Sequence, residues 1–133
     1  MAFGSIRKPG MNADPQNSAI LFGLPGNPVA VMVTFYAFVR QALHHMAGAD
    51  CKPLPMLKAK LLQEVRKKPG RTEYQRVTLH LDQGEWIAEL TGSQGSGVLR
   101  SMAESDGLMG LHHESGNVPA GDWVDVLPFE GLI

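Results

Sequence analysis

The chain carries a single cysteine, Cys51, so no internal disulfide can form and nothing points to an oxidising compartment. No apolar run reaches the roughly 18 residues that a membrane-spanning helix needs. The first residues also lack the basic-then-apolar pattern of a secretory leader. A cytoplasmic protein with no membrane partner is the expectation. Aromatic residues are scarce, at 7%, and they are not interleaved with the basic residues, which argues against a nucleic-acid partner. No sign of charge dominates overall, and no repeat or low-complexity tract is visible in the 133 residues. A chain of this length holds one domain or two very small ones.

The net charge of −1 conceals an asymmetry. Between Lys58 and Arg76 stand seven basic residues (Lys58, Lys60, Arg66, Lys67, Lys68, Arg71 and Arg76) against two acids, Glu64 and Glu73. From Val77 onward Arg100 is the only Lys or Arg, against nine acids. Clustered charges usually sit on solvated faces. This cluster surrounds the turn "KKPGR", which also fits an anion-facing edge.

Two parts meet near "GADCKPLP", Gly48 to Pro55. Residues 1–50 read as the end of an α/β layer, 51–55 as a linker, and 56–133 as a small all-β domain. In the first part, "MAFGSI" and "AILFG" are short apolar strands flanking a polar turn region. A helix is expected from Pro28 to about Ala47, with Asn27 as N-cap, Pro28 at the first helical position and Gly48 just past the end. From Val29 to Val39 its only polar side chains are Thr34 and Tyr36. A helix apolar nearly all round must be covered nearly all round, and one strand pair cannot do that. The first part is therefore expected to be incomplete or covered by a partner copy.

The second part alternates. "MLKAKLLQEV", "EYQRVTLHL", "WIAEL", "LMGLHH" and "DWVDVLPF" read as strands, with a short helical segment near Val98 to Ala103, and five or six short strands predict a small barrel or sandwich. In "EYQRVTLHL", Val77, Leu79 and Leu81 form the expected core-facing set, so Arg76 is expected to point outward with Tyr74 and Thr78, toward solvent or a facing domain. Trp86 and Trp123 are expected to fill the core.

Between the first part's last strand and its helix lies "GLPGNP". Leu24-Pro25-Gly26-Asn27 matches a type II turn, with Pro25 fixing φ and Gly26 tolerating positive φ. The turn delivers the chain to a helix N-terminus, where free N–H groups and the dipole favour an anion. Gly26, Asn27, Val29 and Ala30 can donate; the two prolines cannot. It is not a Walker loop. Taken alone, such a turn is more often structural than functional.

The pattern as a whole goes further. "GLPGNPVAVMVTFYAFVRQAL" resembles the strand–elbow–helix of the MoeA family, the molybdopterin molybdenumtransferases that include the E domain of gephyrin. "MAFG", "PGRTEYQR", "TGSQGSGVLRSMAESDGL" and "GNVPAGDWVDVLPF" continue the resemblance in order over nearly the whole chain. It implies an enzyme that uses adenylated molybdopterin and molybdate and releases molybdenum cofactor with AMP, acting as a homodimer. On this chain, residues 1–50 resemble the last strands and final helix of a three-layer α/β domain, and 56–133 the C-terminal β-barrel-like domain. The acidic residues that handle Mg2+, and the lysines of the segment preceding "AFG", have no counterpart here. The expectation is therefore a piece of a longer protein, with the metal ligands elsewhere and the isolated piece inactive.

The resemblance also implies a site. Arg76 would be catalytic, since an arginine can clamp phosphate or molybdate with two parallel hydrogen bonds. Ser96, in the glycine-rich "GSQGSG" with Gly95, would donate to an oxyanion. Arg71, Pro25, Gly26, Asn27 and Pro28 would shape the substrate pocket, although a helix cap is the simpler role for Asn27. Other features read blandly. His44 and His45 are adjacent on a helix, about 100° apart, and cannot share a metal. "HHE" at 112–114 alternates faces if it is strand. No metal ligand is assigned. The competing class is a non-catalytic binding or scaffold module of the same family.

Overall fold

The computed structural model describes residues 1–7, 9–10, 18–50, 52–92 and 102–129. They form two units, Met1–Cys51 and Lys52–Ile133.

The first unit begins with an antiparallel pair, β1 (Ala2–Arg7) and β2 (Ser18–Gly23), in the register Ala2↔Gly23 through Arg7↔Ser18. The close approach at Ala2 explains Gly23: an added Cβ would stand 3.2 Å from that of Ala2. The Phe3 and Phe22 rings tilt together at 5.4 Å. The expected helix then runs from Pro28 to Met46, but not as one regular α-helix. α1 (Pro28–Thr34) and α2 (Arg40–Met46) are joined by a π-helical turn, Phe35–Val39. Thr34 Oγ1 donates to the Ala30 carbonyl at 2.6 Å, the back-bonding that bends helices. One residue later the register widens, and the Arg40 N–H reaches the Phe35 carbonyl, five residues back. Gly48, at φ +73°, closes the end by donating to the His45 carbonyl. Val29 and Val39 are buried, whereas Met32, Phe38, Leu43 and Met46 lie open, as an uncovered apolar helix must.

The second unit is a closed five-stranded barrel of β3 (Leu57–Leu61), β4 (Glu73–Asp82), β5 (Glu85–Leu90), β6 (Gly107–Leu111) and β7 (Trp123–Pro128), in the order β3-β5-β4-β6-β7. β3 and β5 run parallel; every other neighbouring pair is antiparallel. The β4–β5 hairpin turns through Gln83 and Gly84, both at positive φ (48° and 86°), as a two-residue type I′ turn requires. Alternate residues fill the interior: Ala59 and Leu61, Val77, Ala88, Met109 and Leu111, and Val124 and Val126, joined by Val65. A bridge between Val65 and Val118 exchanges two backbone hydrogen bonds of 2.9 Å. Beside it Lys67 is buried. Its Nζ donates to the carbonyls of Ser115 (2.9 Å) and Lys68 (3.3 Å), and its N–H to Asn117 Oδ1.

The barrel corrects three side-chain expectations. Trp86 and Trp123 are not core: they are 38% and 52% exposed. The lumen of a five-stranded barrel is narrow, and its interior is filled by small and medium side chains, Ala59 and Ala88 among them, leaving no room for an indole. Trp123 instead faces outward, with Lys60 Nζ 5.2 Å from its ring centroid. Leu81 is 60% exposed because the hairpin runs past the barrel's end. Leu79 still packs on the core, and Leu81, opposite Trp86, lies beyond it. The third concerns Arg76, which takes the expected outward side of its strand but is buried there, not open to solvent.

Candidate functional site

Arg76 occupies the outer face of the barrel wall, on the side opposite Val77. Its cross-strand partner is Leu108, whose own partner is Leu127, and all three are buried although none belongs to the interior cluster. Met102 and Ser105 are buried as well. The wall formed by β4, β6 and β7 is thus covered on both sides, and Arg76 is 4% exposed. This burial pushes the guanidinium below the ordinary arginine range, because desolvation penalises the charged form. The main chain here is equally fixed. The Arg76 carbonyl accepts from the Thr91 N–H (3.1 Å) and the Thr91 hydroxyl (3.3 Å). Thr91 stands just before the glycine-rich stretch that contains Gly95 and Ser96, which lie outside the described residues.

The remaining basic residues of the 58–76 run divide by environment. Lys58 pairs with Asp125 at 2.8 Å and Lys60 with Glu85 at 2.5 Å, across neighbouring strands. Lys67 is spent on carbonyls inside the fold. Arg66, Lys68 and Arg71 are exposed around the Pro69-Gly70 turn, where Gly70, at φ +112°, donates to the His113 carbonyl at 2.7 Å. The anion-facing edge read from the sequence therefore contracts to those three side chains.

In the first unit, the elbow residues Pro25, Gly26, Asn27 and Pro28 connect β2 to α1. Asn27, in extended backbone (φ −82°, ψ 123°), is the N-cap, and its Oδ1 accepts from Val29 N–H (3.0 Å) and Ala30 N–H (3.2 Å). Two of the four candidate anion donors are thereby occupied. The type II turn is not formed, since Gly26 is not at positive φ. Asn27 precedes Pro28, and a residue before proline is held extended. The chain enters the helix through this extended Asn27, with no left-handed glycine before it. No Cβ clash explains Gly26 either, because the space beside it is open.

Among the described residues no three His, Cys, Asp or Glu side chains gather as a metal site. Of the "HHE" group, His113 Nε2 and Glu114 Oε1 lie 3.7 Å apart on the surface. Sequence reasoning passed over two anchoring groups. One is Lys67, hidden inside a basic run. The other is Asp106, whose Oδ2 accepts from Leu79 N–H at 2.8 Å and whose own N–H reaches the Val77 carbonyl at 2.9 Å. The signal for covered wall residues was present in "GLMGL", a strand apolar on both faces rather than alternating.

Comparison with known proteins agrees with this architecture. Residues 58–129, 72 of the 133, match the family described as MoeA C-terminal region (domain IV). A gephyrin from Dictyostelium discoideum is 35% identical over 116 residues, covering 81% of this chain and 16% of that protein. A molybdopterin molybdenumtransferase from Haemophilus influenzae is 34% identical over 113 residues, covering 84% of this chain and 28% of that protein. A molybdenum cofactor biosynthesis protein from Pyrococcus furiosus superposes with a TM-score of 0.65 at 30% identity, over 78% of this chain and 36% of that one. The moeA protein of Pyrococcus horikoshii OT3 gives 0.63 at 28% identity, over 78% of this chain and 26% of that one. The chain spans less than a third of the length of either of these two curated relatives. With more than half of its residues matched, and with relatives aligned across both the elbow and the barrel, this chain belongs to the MoeA family, as its C-terminal region.

Proposed function

We propose that the chain is the C-terminal part of a molybdopterin molybdenumtransferase, which inserts molybdate into adenylated molybdopterin and releases AMP. The observation that carries this reading is the extent of the similarity. Relatives that include a molybdopterin molybdenumtransferase align over more than four-fifths of the chain, not over the barrel alone. In this reading the protein works as a cytoplasmic homodimer, and its substrates are anionic small molecules. The Mg2+ ligands would be supplied by residues outside this chain.

Within that reaction the described residues would bind and position rather than attack. The elbow supplies a rigid wall: two prolines and a capped helix start hold its shape before any ligand arrives. Arg71, exposed beside the Pro69-Gly70 turn, is free to meet an anion from solvent. Arg76 would act from within the barrel wall, its main chain tied to the root of the stretch that carries Gly95 and Ser96. The test is molybdate-dependent AMP release by the longer protein, measured with and without residues 52–133. Full activity without the barrel would remove this unit from the chemistry. A scaffold reading has its own support, since a gephyrin is among the relatives. In that reading the isolated 133-residue chain is inactive yet keeps its fold.

A further inference from the structure

One end of the barrel opens into a cavity of about 510 Å³ lined by Leu57, Leu79, Trp86, Ser105, Asp106, Pro128 and Phe129. Among the described residues, none of the candidate site residues lines it. The topology explains why it exists. β3 and β5 are paired only at Lys60↔Ile87 and Leu61↔Ala88, so the seam between them is unzipped at the level of Leu57 and Trp86. The β4–β5 hairpin also continues past the barrel's end. The volume falls within the roughly 300–1,000 Å³ typical of small-molecule sites.

The chemistry of the lining is selective. Five of the seven residues are apolar or aromatic, and Ser105 spends its hydroxyl on the Met102 carbonyl at 2.9 Å. Among the described lining residues Asp106 carries the one formal charge. Its backbone is held on both sides, the N–H donating to Val77 and the carbonyl accepting from Phe129 at 2.8 Å. One carboxylate oxygen accepts from Leu79 N–H, which fixes the carboxylate's orientation. Among the described residues no Lys, Arg or His forms an ion pair with Asp106, whereas Lys58, Lys60 and His113 each have an acidic neighbour. A rigid, unneutralised carboxylate and an exposed indole within an apolar cavity form a receptor for a cation. The carboxylate supplies the countercharge and the ring face adds a cation–π contact.

We propose that this barrel mouth is a binding site for a small organic cation with an apolar body, of the arylalkylammonium class. The ammonium would sit at Asp106 and the apolar body against Leu57, Leu79 and Trp86. The experiment uses the 133-residue chain and two isosteric probes, phenethylammonium and phenylacetate, titrated while backbone and indole amide shifts are followed by NMR. The expected result is saturable binding of phenethylammonium with shifts centred on Leu57, Leu79, Trp86 and Asp106, and at least tenfold weaker binding of phenylacetate. Asp106→Asn keeps an oxygen for Leu79 N–H and should abolish the preference for the cation. Equal affinity for the two probes, shifts centred elsewhere, or no saturation would overturn the proposal. The probe comparison on the unmodified chain decides the matter even if the variant fails to fold.

Discussion

The carbonyl of Arg76 accepts two hydrogen bonds from one residue, Thr91, through its N–H at 3.1 Å and its hydroxyl at 3.3 Å. The contact extends the β4–β5 ladder by one step beyond Val77↔Leu90. It also fixes where the chain departs toward Gly95 and Ser96. The residue given the leading role in anion binding is therefore first a structural element of the wall, and its variants must be judged on both counts.

Removing the Arg76 side chain should cost stability. Arg76→Ala deletes a nearly fully buried side chain packed on the covered side of the wall, and the loss should be about 2 kcal/mol in a urea melt. Arg76→Met keeps most of the volume without a charge to desolvate, so it should stay within about 1 kcal/mol of the parent. In the longer protein Arg76→Met should nonetheless lower AMP release by roughly 10- to 150-fold, the equivalent of a charge-assisted hydrogen bond of 1.5–3 kcal/mol. Normal turnover in a well-folded Arg76→Met would confine Arg76 to the wall and leave Arg71 as the anion contact.

Gly107 is the most closely approached of the described glycines. A Cβ there would stand 2.7 Å from the Leu127 carbonyl oxygen, 2.9 Å from Val126 Cγ1 and 3.2 Å from Pro128 Cα. Two of those neighbours are backbone, so they cannot rotate away, and β6 would have to part from β7. Gly107→Ala should lower stability by about 2–3 kcal/mol, in the range of overpacking. Gly110→Ala, whose nearest neighbour is the Tyr74 ring at 3.8 Å, should cost far less. Paired thermal melts of the two variants test the contrast.

How far the sequence foretold this arrangement depends on what covers each face. Strands β4, β5 and β7 were legible because alternation survives along whatever stretch of a strand keeps one wet side. The same rule put Arg76 on the correct, outer side of its strand and missed only its burial. Alternation assigns the residue next to Val77 to solvent, and it does not register that Leu108 and Leu127 extend a second covered layer across the wall. The tryptophans were misplaced because hydrophobicity ranks them as core, while the lumen admits Ala59 and Ala88. In the elbow the cap was readable from Asn27-Pro28 itself. The glycine's conformation was not, and neither a Cβ clash nor the extended Asn27, which a type II turn would also accept, explains it.

Asn27 offers a direct separation of cap from ligand contact. Its Oδ1 serves two N–H groups of α1, so Asn27→Ala should destabilise the helix start by about 1 kcal/mol. Asn27→Asp and Asn27→Ser keep the acceptor and should restore stability. If the residue acts only as a cap, AMP release by the longer protein should recover in both. Recovery in Asn27→Ser with loss in Asn27→Asp would instead mean that an anion approaches the elbow closely enough to be repelled by a carboxylate.

The two units should differ in their ability to stand alone. Among the described residues the second unit buries twelve apolar side chains, from Ala59 to Leu127, while the first buries Val29 and Val39. The barrel closes on itself, leaving each of its strands paired on both edges over part of its length. The first unit holds one strand pair and one interrupted helix, with Phe3, Ile6, Leu21, Met32, Phe38 and Met46 open to solvent. A two-stranded ribbon is marginal without further cover. An exposed apolar set of this size calls for a partner surface. Residues 52–133 expressed alone should therefore unfold cooperatively and bind little hydrophobic dye. Residues 1–51 alone should bind dye strongly or self-associate. In the 133-residue chain, hydrogen exchange should be slowest at Val77, Ala88, Met109 and Val126 and faster across Val29–Val39. Slower exchange in the helix than in β4 and β5, measured on a monomer, would show that the first unit finds its cover within this chain.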